Sequence, residues 1–147
     1  MPANSSLYKK IVLPAAPSID SPISKMYKGF STVSLDTENY SLYDMQLVKQ
    51  DLINNFNIRQ GERLMQPTFG TMIWDILFEP LTDPLKNLII QDVNKIINYD
   101  PRIKAESATV TSYESGIQIE CVLTYLPYNV SEALQLRFDQ SMGLLAR

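Results

Sequence analysis

Thr82-Asp83-Pro84-Leu85-Lys86-Asn87-Leu88-Ile89-Ile90-Gln91-Asp92-Val93-Asn94-Lys95-Ile96-Ile97-Asn98-Tyr99-Asp100-Pro101 decides the fold, because the hydrophobic period changes at its end. Thr82-Asp83-Pro84 is a helix start, a capping residue with proline in the first turn, where its missing N–H costs nothing. Leu85, Leu88, Ile89, Val93, Ile96 and Ile97 follow at i, i+3, i+4 spacing and predict one continuous apolar face about 22 Å long. Pro101 forbids continuation of the helix. Beyond it the period drops to 2. Ala108, Val110 and Ser112 face one side of a strand, and Glu114-Ser115-Gly116 supplies a turn. Ile117, Ile119, Cys121, Leu123 and Tyr125 alternate with Gln118, Glu120, Val122 and Thr124, as in a half-buried strand. After Pro127-Tyr128-Asn129, Leu134, Leu136 and Phe138 alternate with Gln135 and Arg137. Helices followed by a three-stranded antiparallel β-meander make an α+β domain. The strand Leu134–Phe138, last in that meander, is expected at a free sheet edge.

Upstream, Ser41-Leu42-Tyr43-Asp44 reads as a capping box, and Met45, Val48, Leu52 and Phe56 recur at helical spacing, predicting a helix over 42–56. Gly61 marks a turn with positive φ. Pro67 and Gly70 bound a second turn, Thr71 is placed to cap a short helix Met72–Phe78 carrying Trp74, and Pro80 ends it. Tyr40, Tyr43, Phe69, Trp74 and Phe78 are expected to form the core around that helix. Residues 1–36 hold Pro2, Pro14, Pro17 and Pro22 with only a short Ile11-Val12-Leu13 patch, which predicts an extended N-terminal arm preceding a single domain over 37–147.

Composition excludes much chemistry. The chain has no histidine and one cysteine, Cys121, among 147 residues. Ser-His and Cys-His nucleophiles, internal disulfides and Cys-rich zinc sites are therefore absent, and no cofactor is expected. Cys121 falls on the apolar face of its strand, as a small core residue. Net charge is −3, against a nucleic-acid role. No apolar run reaches the roughly 18 residues of a membrane span, and the first residues lack a secretory signal pattern, so synthesis and retention in a cytoplasm are expected. Residues 1–36 carry four Lys against two Asp, whereas 37–83 carry three basic against seven acidic residues, a mildly basic arm before an acidic body.

One enzymatic reading survives without histidine, a glycoside hydrolase using paired carboxylates drawn from Glu62, Glu79 and Asp100. It needs one carboxyl with a raised pKa in an apolar pocket and a second, ionised, across a cleft. The bland alternative assigns these acids to turns and helix ends. Arg63 and Arg102 carry a similar pair of readings. Each either pairs with a nearby carboxylate and shapes a loop, or presents its planar fork to a partner. Arg102, just after a proline at a helix exit, is expected to be exposed.

The ordered set Ile58-Arg59-Gln60-Gly61-Glu62-Arg63-Leu64-Met65-Gln66-Pro67-Thr68-Phe69-Gly70, Leu77-Phe78-Glu79 and Tyr99-Asp100-Pro101-Arg102-Ile103 resembles the small wedge proteins of contractile-tail baseplates. This is the sheath-initiator family, which includes baseplate assembly protein W and the type VI secretion baseplate subunit. The resemblance runs over residues 41–138. It implies a structural virion protein of the tail baseplate, assembled in the host cytoplasm. Its partners would be other wedge proteins, the tail sheath protein and, less directly, tube or hub proteins, with no nucleic acid, membrane or small-molecule substrate. Family members have sometimes carried a lysozyme label, and the equivalent subunit of a type VI or extracellular injection machine is an alternative. In the family, a Tyr-Glu-Pro-Arg segment meets the helical core bundle of neighbouring wedge proteins. Carried over, this implies partner binding by Asp100, Pro101 and Arg102, with Asp100 one methylene shorter than the usual Glu. Gly61, Glu62, Arg63, Phe69 and Gly70 match as the positioning turn. Leu134, Gln135, Leu136, Arg137 and Phe138 would receive sheath arms by β-augmentation, in which an incoming strand pairs with a free edge.

Overall fold

A computed structural model of the chain describes residues 26–31 and 41–147. Within them the order is β1 (Lys28–Phe30), β2 (Ser41–Tyr43), α1 (Asp44–Asn57), α2 (Ile73–Ile76), α3 (Asp83–Tyr99), β3 (Ile103–Tyr113), β4 (Gly116–Tyr125), β5 (Val130–Asp139) and β6 (Gly143–Ala146). The last four strands form an antiparallel sheet in the order β3-β4-β5-β6, while β1 and β2 form a separate two-stranded ribbon.

The helices cover one face of the sheet. Val48, Leu52 and Phe56 of α1 and Ile89, Val93, Ile96 and Ile97 of α3 join Ile117, Ile119, Cys121, Leu123 and Tyr125 of β4 and Leu134, Leu136 and Phe138 of β5 in one core. The period-2 set of β4 is buried as its alternation requires, because successive side chains of a strand point to opposite faces. Phe138 sits against Phe56 and Trp74 in edge-on contacts, centroids 6.2 and 5.1 Å apart, and Trp74 Nε1 donates to the Phe56 carbonyl at 3.0 Å. No helix among the described residues is long and apolar enough to cross a membrane.

Three expectations are corrected. The sheet has four strands rather than three, because Gly143–Ala146 folds back along β5, pairing Asp139 with Gly143 through to Leu136 with Ala146. Gln135–Phe138 is therefore interior and not a free edge, and only Leu134 of the expected edge stays uncovered by β6. Four residues are too few to show alternation, so this strand left no periodic signal. Ser41 does not cap a helix. Ser41–Tyr43 is strand β2, Tyr43 takes the N-cap position, and the Asp44 carboxylate is engaged elsewhere. Its Oδ1 accepts from the Met26 and Tyr27 backbone N–H groups at 2.9 and 2.8 Å, and its own N–H donates to the Tyr27 carbonyl at 3.1 Å. These bonds offset the strain of its left-handed backbone, φ 45°. Finally, Phe78 is 73% exposed and lies outside the aromatic core. Within the segment expected as an arm, Lys28–Phe30 pairs with Tyr43–Ser41, and Gly29 packs so closely on Leu47 that a Cβ would collide with it. The Ile11–Leu13 patch, Tyr40 and the 36/37 boundary lie outside the described residues.

Helix α3 spans Asp83–Tyr99 with Thr82 at the N-cap and Pro84 in its first turn, as its sequence predicts, although Thr82 caps without a side-chain bond. Of the expected stripe, Leu88 remains 47% exposed. Asp92 instead occupies the buried face, accepting from Thr71 Oγ1 at 2.7 Å and from the Met72 N–H at 3.0 Å. Thr71 Oγ1 in turn accepts from the Ile73 N–H at 3.1 Å, but the N-cap of the short helix is Met72 and not Thr71 as expected, and the helix runs only Ile73–Ile76 and not Met72–Phe78.

Candidate functional site

The residues singled out by sequence fall into three regions: the corner after α3, the loop between α1 and α2, and the far edge of the sheet.

At the corner, Asp100 ends α3 and Pro101 turns the chain into β3. Arg102 Nε donates to both Asp100 oxygens at 2.9 and 3.1 Å, and Nη2 donates to Asp100 Oδ2 at 2.6 Å and to Asp51 Oδ2 at 2.9 Å. The guanidinium also lies over the Tyr27 ring, 5.4 Å from its centroid. Arg102 is thus a tie between α1, the α3–β3 corner and the segment leading into β1, and not the exposed fork that its position after a proline predicts. Burial alone would raise the Asp100 carboxyl. The hydrogen bonds and charge of Arg102 outweigh it and hold Asp100 below the ordinary carboxylate value. Asp100 in return raises Arg102 further above its usual value, against the opposing effect of burial, with Asp51 adding to the rise. Around this tie, Tyr27, Asp51, Asn54, Asn55, Tyr99 and Pro101 border an open cleft of about 640 Å³ that also reaches Arg63.

The loop is closed at its base. Thr71 N–H donates to the Ile58 carbonyl at 2.9 Å and Gln60 N–H to the Thr71 carbonyl at 3.2 Å. Inside it, Gly61 adopts φ 88° and donates to the Pro67 carbonyl, and Glu62 Oε2 accepts from the Arg59 N–H at 2.9 Å. Gly70, at φ 112°, approaches the Arg59 backbone so closely that a Cβ would stand 2.6 Å from its carbonyl, which only glycine allows. The Arg63 guanidinium sits over the Phe69 ring, 4.1 Å from the centroid, and Phe69 is buried edge-on against Tyr99 at 4.7 Å. The loop and the corner are therefore one continuous surface, joined through Phe69 and Tyr99.

The sheet edge differs most from expectation. Leu134, Leu136 and Phe138 are core side chains, and Arg137 stacks on Tyr113 at 4.6 Å. The far edge is now β6 together with the part of β5 that β6 does not cover, Val130–Leu134. Asp139 anchors β6. Its carboxylate accepts from Ser115 Oγ at 2.7 Å, Tyr113 OH at 3.1 Å, Ser141 N–H and Oγ at 2.8 Å each, and Met142 N–H at 3.0 Å. These bonds, the Ser115 hydroxyl first, hold its pKa well below the ordinary value. On the opposite edge, β3 carries a bulge at Glu106 and exposes Lys104, Glu106, Ser107, Thr109, Thr111 and Ser112.

For the hydrolase reading, the three acids have separate structural uses. Glu62 fixes a turn, Glu79 is exposed beyond α2, and Asp100 is ion-paired with a lowered pKa, the reverse of what a general acid needs. The Cys121 thiol is pushed up to about 11 by burial and is inert.

The sequence profile of the family described as Baseplate wedge protein gp25 matches residues 44–126, more than half of the chain. The chain belongs to the baseplate wedge protein gp25 family. A search of curated proteins found no significant match. Among solved structures, one chain of the cryo-EM structure of the anti-feeding prophage baseplate is similar at TM-score 0.56 and 23% identity, over 68% of this chain and 85% of that one. A Geobacter sulfurreducens crystal structure carrying a tail-lysozyme label is similar at TM-score 0.52 and 24% identity, over 62% of this chain and 89% of that one. At these identities the likeness is one of fold. For this baseplate wedge family member, sequence reasoning missed Asp51, Tyr27, Asp92 and Asp139. Only Asp92 left a local signal, an acid inside the apolar stripe of α3.

Proposed function

We propose that this chain is a structural, non-enzymatic wedge subunit of a contractile-tail baseplate, which docks on neighbouring wedge proteins and templates the sheath by β-augmentation. The observation that carries the reading is family membership joined to an asymmetric sheet. The bulge and charges on β3 are devices that discourage strand addition. The β6 side has the apolar sequence Gly143-Leu144-Leu145-Ala146 and a partly uncovered β5. Strand arms of sheath subunits would add on that side, so the receiving edge moves from Leu134–Phe138 to β6 and the adjoining Val130–Leu134. The docking face is the surface joining Gly61–Gly70 to Tyr99, Asp100 and Pro101, with Arg102 shaping it from within. The protein would reside in the tail, with other baseplate proteins as partners. Likeness to the anti-feeding prophage baseplate supports the same role in a related injection machine. The tail-lysozyme label belongs to the Geobacter protein, and here Asp100 speaks against glycan hydrolysis.

Pairing geometry provides the test. Gln135 and Arg147 exchange both main-chain bonds, at 3.0 and 2.8 Å. Alternation in an antiparallel pair then turns the N–H groups of Leu144 and Ala146 away from β5. Ala146→Pro should therefore leave a folded protein and an intact baseplate while sheath nucleation fails, read by electron microscopy of assembled tails. Normal-length sheaths on baseplates carrying Ala146→Pro and, separately, Val130→Lys/Glu132→Lys would remove this edge as the template.

A further inference from the structure

Gln66 N–H donates to the Arg63 carbonyl at 3.1 Å, so Arg63-Leu64-Met65-Gln66 is a β-turn with Leu64 and Met65 at its two central positions. Both side chains are 94% exposed. Turn tips are ordinarily Gly, Pro, Asn, Asp or Ser, for conformational and solvation reasons. Two large apolar residues side by side at a tip break that local rule, and isolated exposed leucines on a surface do not raise the same question. The turn is also firmly held. Closure at Ile58–Thr71, the Gly61–Pro67 and Phe69–Gln66 bonds, the Glu62 cap and the Arg63–Phe69–Tyr99 stack brace it from below.

We propose that Leu64 and Met65 form an apolar knob that inserts into an apolar pocket on a neighbouring baseplate wedge subunit. The inference rests on the wedge-subunit reading and adds to it the residues that anchor the docking. Three features define the occupant. Leu64 and Met65 stand side by side at the centre of the turn and are almost fully exposed, so they suit an apolar concavity that can enclose both. Main-chain donors at Gly61, Glu62, Gln66 and Phe69 are used within the loop, which leaves no extended edge for strand pairing and favours recognition by side-chain burial. The flanking charges Arg59, Glu62 and Arg63 sum to +1, a single net charge that is a weak basis for selecting an acidic or basic ligand. Because the loop backbone is already held, docking has to order only the Leu64 and Met65 side chains and not the turn that carries them. The loop joins the Tyr99–Pro101 surface through the Phe69–Tyr99 contact, so knob and cleft would engage one partner together.

The experiment is assembly with the tail proteins encoded beside this chain, using Leu64→Ser/Met65→Ser, Met65→Leu, Ala146→Pro and the unaltered protein. The double variant should fold with an unchanged melting temperature, since neither side chain touches the core, yet bind the wedge subunits on the order of a hundredfold more weakly. Met65→Leu should bind as the parent does. A photocrosslinker at Met65 should join apolar residues of one wedge subunit in purified tails. Unchanged incorporation of the double variant overturns the knob while leaving the wedge role standing. Failure of the unaltered protein to join any baseplate overturns both. Binding of the unaltered protein to neutral phosphatidylcholine vesicles, lost in the double variant, would assign the knob to lipid and overturn the protein pocket.

Discussion

Arg102 grips Asp100 with two nitrogens, Nε at 2.9 Å from Oδ1 and Nη2 at 2.6 Å from Oδ2, and the second nitrogen also holds Asp51 on α1. The arginine side chain is 21% exposed and the Asp100 side chain 10%, so the contact is shielded from water on most sides. A fork committed in this way shapes the docking surface by fixing the corner beneath it.

Arg102→Ala should accordingly be destabilising, by about 2 kcal/mol, because it leaves a mostly buried carboxylate without its charge-assisted bonds. Chemical denaturation of the variant, with Asp100→Ala and the double variant, should show strong coupling between the two positions. Equal stability of Arg102→Ala and parent would show that the tie contributes nothing net to folding.

Asp139→Ala should loosen β6 while leaving β3–β5 folded, because five donors at the β5–β6 turn converge on that carboxylate. Amide exchange should speed up at Leu144–Ala146 far more than at Ile117–Tyr125. Protection of β6 at the parental level would show that main-chain pairing alone holds it.

Acid should act through the same group and through Asp100. Both folded pKa values lie below the ordinary carboxylate value. Their contributions are then complete above the unfolded pKa of about 3.9 and are lost as pH falls through the lower folded values. Stability measured from pH 6 to pH 2 should hold level at first and then fall below about pH 4. Asp139→Asn should flatten that fall.

Gly70→Ala and Gly61→Ala should differ although both positions have positive φ. At Gly61 nothing lies within 4 Å of where an added methyl would stand, so the cost is the backbone preference alone, about 1 kcal/mol. At Gly70 the methyl meets the Arg59 carbonyl carbon and oxygen at 2.6 Å, and the loop base must open, costing more than about 2 kcal/mol. Thermal melts rank the two, and similar values would contradict the close approach.

Tyr125→Phe should be neutral or stabilising by up to about 1 kcal/mol. The hydroxyl is buried and has no hydrogen-bond partner among the described residues, while the ring is 1% exposed and packed in the core. Loss of stability in this variant would mean the hydroxyl is satisfied in solution.

The amino-acid sequence by itself determined what short-range periodicity can carry. Helix α3, with its Thr82-Asp83-Pro84 start and Pro101 stop, and strand β4, with five alternating apolar residues, are each specified by neighbours within a few positions, so their patterns survive reading without a structure. The loop motif around Gly61 and Gly70 was legible for the same reason, since φ > 0 restricts residue type locally. Tertiary structure alone decided the rest. Asp44 fits a capping box by local pattern, yet its carboxylate is taken by the N–H groups of Met26 and Tyr27, 18 and 17 residues away. Asp51 meets Arg102 across 51 residues, and β6 is too short to announce itself before β5 is in place to pair with it. Such contacts form only after the apolar faces of α1, α3 and the sheet have packed. The partners of a polar side chain are then set by which backbone and charged groups that packing brings within about 3 Å, and no sequence period records them.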